Sequence, residues 1–434
     1  MVKVPSTTLF SLRQNMVNSI GYSPEDILAA QREEFCGFKS LPYVPRTCEI
    51  ELRRQAESKL VKVIIGPRRA GKSRLIQKVL ENQDVAYINF DDELVQNLPG
   101  DRLIKAAHQV YPNARYWYLD EIQDFPNWET LINKLHRRQY NLFVTGSNAN
   151  LLSTELATVL TGRHIPLELL PFSYDEFCLG TRVSRSWVSF EQYLMYGGFP
   201  EVILASTADK SSYLAALFDA TILKDLVRRK RIKNPSYLVN CVSLLINNIA
   251  SRLSARSLSK ALKGTPSAIT VEKYLGMVAE AYLIELLSSY SAKSKDRILS
   301  ERKPFAIDTG YITARSQSVF PNFGKQLENA VYLQLRRRGL KPQQSLFFYR
   351  SHDGTEVDFL VRNGHQTTEL IQACLDMSSL ETREREVRGF RVAAKDHPDA
   401  SLTIVTANES GSIDLGGGSQ IKLIPAWKFC SNLD

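Results

Sequence analysis

Between residues 46 and 165, short unbroken apolar runs alternate with longer segments whose apolar residues recur every three or four positions. "VKVIIG" is followed by "GKSRLIQKVLENQ", "VAYINF" by "DRLIKAAHQVY", "YWYLDE" by "NWETLINKLHRR", and "NLFVTGS" by "NANLLSTELATVL". An unbroken apolar run of strand length is buried on both faces, and the amphipathic runs between are helices that cover those faces. The alternation predicts an α/β core with a parallel sheet.

The pattern changes near residue 206. "NCVSLLINNIAS" and "VEKYLGMVAEAYLIELLSSY" are helical by their spacing. "SARSLSKALKGTPSAITVEKYLGMV" predicts a helix, a Gly-Thr-Pro turn and a second helix capped by Thr265 or Ser267. "RKPFAIDTG" then reads as a strand returning into a turn, which completes a winged-helix outline. After residue 320 comes a helix, "GKQLENAVYLQLRRRG", then strand candidates "SLFFYR", "EVDFLV" and "TELIQACL". A charged helix, "LETREREVRGFRVAA", and a last strand, "SLTIVTA", close the series before a glycine turn at 416–418. The expected segments are an N-terminal extension (1–45), the α/β core (46–205), a helical and winged-helix domain (206–318) and a C-terminal α/β domain (319–434).

Composition adds exclusions. At 434 residues the chain has room for two to four domains, and 44% hydrophobic with 23% charged residues is an ordinary globular balance. No apolar run approaches the roughly 18–20 residues that cross a bilayer, and the N-terminus lacks a signal-peptide core, so a cytoplasmic, membrane-free protein is expected. The six cysteines are scattered without a Cys-x-x-Cys pair, which points to reduced thiols rather than disulfides or zinc. The net charge of +9 is uneven. Residues 206–345 hold 23 Lys and Arg against 10 Asp and Glu, with clusters at "DLVRRKRIK" (225–233) and "LRRR" (335–338). Concentrated positive charge suits a polyanion such as DNA; a solvated basic surface is the plain alternative.

The chemistry concentrates in "VIIGPRRAGKSR". Gly66, Pro67, Arg68, Arg69, Ala70, Gly71, Lys72, Ser73 and Arg74 follow a strand and open a helix, the context a phosphate-cradling loop requires. Glycines let successive N–H groups curl around phosphate oxygens at the positive end of a helix. Lys72 is placed to reach the β- and γ-phosphates of ATP, and the Ser73 hydroxyl to ligate Mg2+. Some 47 residues on, "YWYLDE" ends in Asp120 and Glu121: Asp120 for the magnesium, Glu121 as general base for the attacking water. "NLFVTGSN" offers Ser147 or Asn148 to sense the γ-phosphate, or a turn that caps the next helix. Arg163 is a candidate arginine finger, in cis or on a neighbouring subunit, with Arg68 and Arg69 as alternatives.

In order and spacing, "VIIGPRRAGKS", "YLDEIQ", "TGSNANLLS", "TGRHIPLELLPFSYDEF", "YGGFPEV", "ILKDLVRR", "PFAIDTGY", "LENAVYLQLRRRG", "EVDFLV" and "LIQACLD" resemble one family of AAA+ ATPases of archaea and bacteria. The resemblance covers residues ~50–390. It implies ATP hydrolysis with magnesium, self-association into a homo-oligomer (a hexamer being one form), and a C-terminal domain with a restriction-endonuclease-like fold. Active members of that fold carry an acid on the first helix, an Asp on the second strand and Glu-x-Lys on the third. Glu328 and Asp358 suit the first two positions. Gln372 and Cys374 stand where Glu and Lys are expected, so nuclease activity is not expected here. The reading is therefore an ATPase that couples hydrolysis to binding or remodelling of DNA, branched DNA included. The alternative is a nucleotide-dependent switch or scaffold that binds proteins.

Overall fold

The computed structural model describes residues 21–149, 160, 162–204, 207–230, 232–263, 265–291, 301–316 and 322–431. The chain divides into two compact units, Met1–Leu169 and Leu170–Asp434. Residues 170–205, grouped with the α/β core on sequence, cluster with the second unit.

The first unit is built on five parallel strands: β1 (Val61–Ile65), β2 (Val85–Asn89), β3 (Tyr116–Asp120), β4 (Asn141–Gly146) and β5 (His164–Glu168). Their spatial order is β2-β3-β4-β1-β5. Every residue of β1, β3 and β4 is buried, which is why their sequences read as unbroken apolar runs. Lys62 of β1 is a charged exception: it is fully buried, donating to the Ala56 and Ser58 carbonyls (3.2 and 2.8 Å) over the Phe143 ring.

The expected N-terminal extension contains a helix. Pro24–Gly37 is a helix with a capping box between Ser23 and Asp26. Its Gln31 bonds both backbone groups of Asn89 at the end of β2, and Phe35 stacks on Tyr87 at 4.6 Å. This helix is part of the first unit's core.

The second unit starts with helices, among them Pro235–Asn247, Ala255–Ala261 and Ala268–Glu280, followed by an antiparallel pair, β6 (Ile284–Ser288) and β7 (Arg302–Ala306). Ser267, one of the two expected caps, accepts from the Thr270 amide. Next come the helix Phe323–Arg337 and a six-stranded mixed sheet: β8 (Leu346–Arg350), β9 (Glu356–Asn363), β10 (Gln366–Ala373), β11 (Ser401–Thr406), β12 (Gly411–Gly416) and β13 (Ser419–Pro425). The order is β12-β13-β11-β10-β9-β8. Val387 and Phe390 of the charged helix Leu380–Asp396 pack against Val357, Leu360, Leu370 and Leu402 of the sheet.

Candidate active site

Parallel strands end at one edge, and ligands of open α/β sheets bind there. β1 ends at Ile65 and runs into the glycine loop; β3 ends at Asp120. Because β4 lies between them, Thr145, Gly146 and Ser147 sit between the loop and the acidic pair. The loop is held tightly: a Cβ on Gly66 would come 2.1 Å from the Leu169 carbonyl oxygen. Gly71, left-handed at φ 93°, turns the chain into the helix Lys72–Val79.

Lys72 is 5% exposed and donates to the Gly66 and Pro67 carbonyls at 3.0 and 3.1 Å, with Glu121 Oε1 at 3.4 Å. The Ser73 hydroxyl donates to Asp120 Oδ2 at 2.9 Å. Thr145 Oγ1 donates to Asp120 Oδ1 and accepts the Glu121 amide at 3.0 Å, tying both acids to β4. Gln123 donates to Glu121 Oε2 at 2.6 Å. Ser147 Oγ is buried, close enough to Glu121 to favour its charged form, but makes no hydrogen bond of good geometry.

The two acids differ electrostatically. Burial, and then the neighbouring Glu121 charge, push Asp120 above the usual carboxylate range, against hydrogen bonds from Thr145, Tyr118 and Ser73. Burial also opposes ionisation of Glu121, but the Lys72 ammonium and the Arg68 guanidinium outweigh it and hold its carboxyl down at about 2. Ser73 and Asp120 supply two hard oxygen donors side by side, a set that fits Mg2+. That ion is ordinarily held by one or two carboxylates together with phosphates and water. Among the described residues no group of three or more His, Cys, Asp and Glu side chains is arranged to hold a metal alone.

The other sequence candidates are distributed unevenly. Arg68 and Arg69 lie in the loop, Arg69 left-handed at φ 65°. Arg74 turns away from it: its guanidinium donates to the Leu41 carbonyl and lies over the Tyr43 ring. Asn148 is half-buried just beyond β4. Arg163 is exposed at the opposite end of the sheet, immediately before β5, with its carbonyl accepting from the Val61 amide that starts β1. Its side chain is thus placed away from the loop of its own chain. Sequence reasoning missed Arg46, which is buried and donates to the Ala70 carbonyl inside the loop at 2.8 Å, and it missed Thr145. Neither stands in a periodic pattern, but Thr145 was reachable as the last inward polar residue of an apolar strand.

Part of the basic region is paired within the second unit. Within "LRRR", Arg336 pairs with Glu285 at 2.8 Å, Arg337 donates to the Pro171 and Phe172 carbonyls, and Arg338 pairs with Glu369. Arg302, Lys230 and Lys303 are likewise paired, with Glu272, Glu280 and Glu328. These charges make ion pairs and hydrogen bonds within the second unit. Arg256, Lys260, Lys263 and Lys273 remain exposed.

A family model for an AAA domain matches residues 58–178; two domains of unknown function, DUF8612 and DUF4143, match residues 188–318 and 323–429. An uncharacterized protein of Methanocaldococcus jannaschii is 32% identical over 408 residues, 87% of this chain and 90% of that one. One of Haemophilus influenzae is 30% identical over 331 residues, 71% of this chain and 81% of that one. Among solved structures, the Walker-type ATPase of Pyrococcus abyssi aligns with a TM-score of 0.42 and 16% identity, covering 64% of this chain and 99% of that one. Cdc6p of Pyrobaculum aerophilum aligns with a TM-score of 0.28 and 12% identity, covering 70% and 98%. The chain belongs to the family of AAA-domain proteins that these archaeal and bacterial relatives share.

Proposed function

We propose that this protein is a magnesium-dependent ATPase of the AAA+ class that works as a homo-oligomer. The observation that carries the reading is the convergence of Lys72, the Ser73–Asp120 pair and Glu121 on one strand edge. In this reading the loop amides and Lys72 bind the phosphates. Ser73 and Asp120 hold Mg2+, whose chemistry when bound is to neutralise charge on the phosphoryl oxygens. Glu121, ionised at neutral pH, orients and deprotonates the attacking water. ATP turnover by the purified chain, with and without magnesium, tests it.

For the macromolecular partner we propose DNA, with the helix pair Ala255–Ala261 and Ala268–Glu280 as a winged-helix reader and Arg256, Lys260, Lys263 and Lys273 as phosphate contacts. Affinity for duplex or four-way DNA should then fall steeply between 50 and 200 mM salt. A second reading, a protein-binding switch, is favoured by Ile269. This residue is 75% exposed on the outer face of the second helix, beside Glu272. DNA-independent ATPase activity with no salt-sensitive DNA binding would select it.

A further inference from the structure

Lys303 of β7 is 2% exposed, and its ammonium is enclosed by three acids of a later part of the chain. Nζ lies 2.8 Å from Glu328 Oε1, 2.6 Å from Glu356 Oε1 and 2.9 Å from Asp358 Oδ1. An ammonium has three N–H donors, and here each has a carboxylate oxygen. Glu328 comes from the helix Phe323–Arg337, Glu356 and Asp358 from the first and third positions of β9. The acids are themselves anchored: Asp358 Oδ2 accepts the Ala373 amide at 3.0 Å, and Gln372 Oε1 accepts the Asp358 amide at 3.0 Å.

Glu328 and Asp358 are the two acids that the resemblance puts at divalent-cation positions, and a lysine of another element meets them here. It does not stand beside a cation position. It fills the point on which the carboxylates converge. The three carboxylates meet one monovalent ammonium, and the Arg252 guanidinium lies 3.4 Å from Glu356 Oε2, so one negative charge is left over. A divalent ion in place of the ammonium would meet the same three acids and cancel that remaining charge.

We infer that the Lys303 ammonium is an internal substitute for a divalent cation, occupying the point between Glu328, Glu356 and Asp358 and closing it to metal. The centre then serves as a buried tie between the β6–β7 pair and the C-terminal sheet, and it performs no metal-assisted hydrolysis while Lys303 is seated. The inference is independent of the nucleotide reading.

The test is titration of the full-length chain with Mn2+, without nucleotide, followed by water-proton relaxation. Wild type and Asp358→Asn should bind Mn2+ alike. Lys303→Ala should gain one site, and Lys303→Ala/Asp358→Asn should lack it. A wild-type site that Asp358→Asn removes overturns the inference, as does a folded Lys303→Ala chain that binds no more Mn2+ than wild type. If Lys303→Ala does not fold in metal-free buffer, added Mn2+ should restore its cooperative thermal transition. Failure of that rescue counts against the inference equally.

Discussion

The ammonium of Lys72 lies 3.4 Å from Glu121 Oε1 while donating to the carbonyls of Gly66 and Pro67. One cation thus braces the loop and holds the proposed base in its charged form.

Two effects of Lys72→Ala follow from that double duty. The phosphates lose their point charge, and Glu121 loses the largest of the interactions that keep its carboxyl low. ATP binding or turnover should fall by roughly a hundredfold or more. The overall fold should persist, because among the described residues the ammonium bonds the loop carbonyls and Glu121. Nucleotide titration beside a thermal melt checks both halves; retained turnover in a folded variant would refute the loop assignment.

Glu121→Gln separates binding from chemistry. The amide keeps the shape of the site but cannot take a proton, so turnover should drop roughly 10²- to 10⁴-fold. Loss of the charge next to Asp120 also removes the second-largest cause of that residue's raised pKa, so metal and nucleotide should bind at least as well as in wild type. With Glu121 at about 2, the wild-type rate should show no decline from loss of this base as pH falls from 8 to 5. A descending limb near pH 6 that disappears in Glu121→Gln would contradict this.

Lys62 gives a pH signature to the fold itself. Burial, and then the Lys59 charge, depress its ammonium from the ordinary 10.5 to about 8, with Glu57 opposing. Between about 8 and 10.5 the unfolded chain therefore holds a proton that the folded chain has released, so stability rises with pH across that window. Below 8 the cost of the buried charge is complete and constant. A neutral amine still has two donors for Ala56 and Ser58, so deprotonation loses no hydrogen bond. Relative to Lys62→Met, wild type should gain roughly 2–3 kcal/mol from pH 7.5 to 10.5. Chemical denaturation at the two pH values measures it; parallel curves would show that Lys62 titrates as in water.

The first unit was largely legible because its signals are local. Strand β1, the loop and the helix Lys72–Val79 are contiguous in sequence, and β3 announces Asp120 by ending in it. The helix Pro24–Gly37 was also readable, since Ser23-Pro24-x-Asp26 is a helix start, yet the absence of a strong apolar period hid it. Roles set by long-range pairing could not be read. "YGGFPEV" and "PFAIDTGY" stood out as motifs with no chemistry attached. They form a buckle: Asp308 accepts the Gly198 and Gly310 amides at 2.7 and 2.9 Å, and a Cβ on Gly197 would lie 1.7 Å from its carboxylate. "LRRR" looked like a phosphate-binding cluster because charge in sequence says nothing of the acids and carbonyls that folding brings to it.

Arg163 supplies the prediction that joins site to assembly. β5 runs parallel to β1 with His164 opposite Val61, so Arg163 lies beyond the end of β1 remote from the loop. Five strand residues at about 3.3 Å each separate it from Gly66 by roughly 17 Å, more than one arginine side chain spans. If Arg163 is an arginine finger, it serves another subunit's nucleotide. Arg163→Ala should then cost up to roughly 10³-fold in turnover with ATP affinity little changed. Mixing it with Glu121→Gln should restore activity, because an Arg163→Ala subunit keeps its own Glu121 and receives an intact arginine from its neighbour. If Arg163→Ala turns over normally as an oligomer, or if the mixture stays as inactive as its components, Arg163 is a surface residue and the finger must be sought elsewhere.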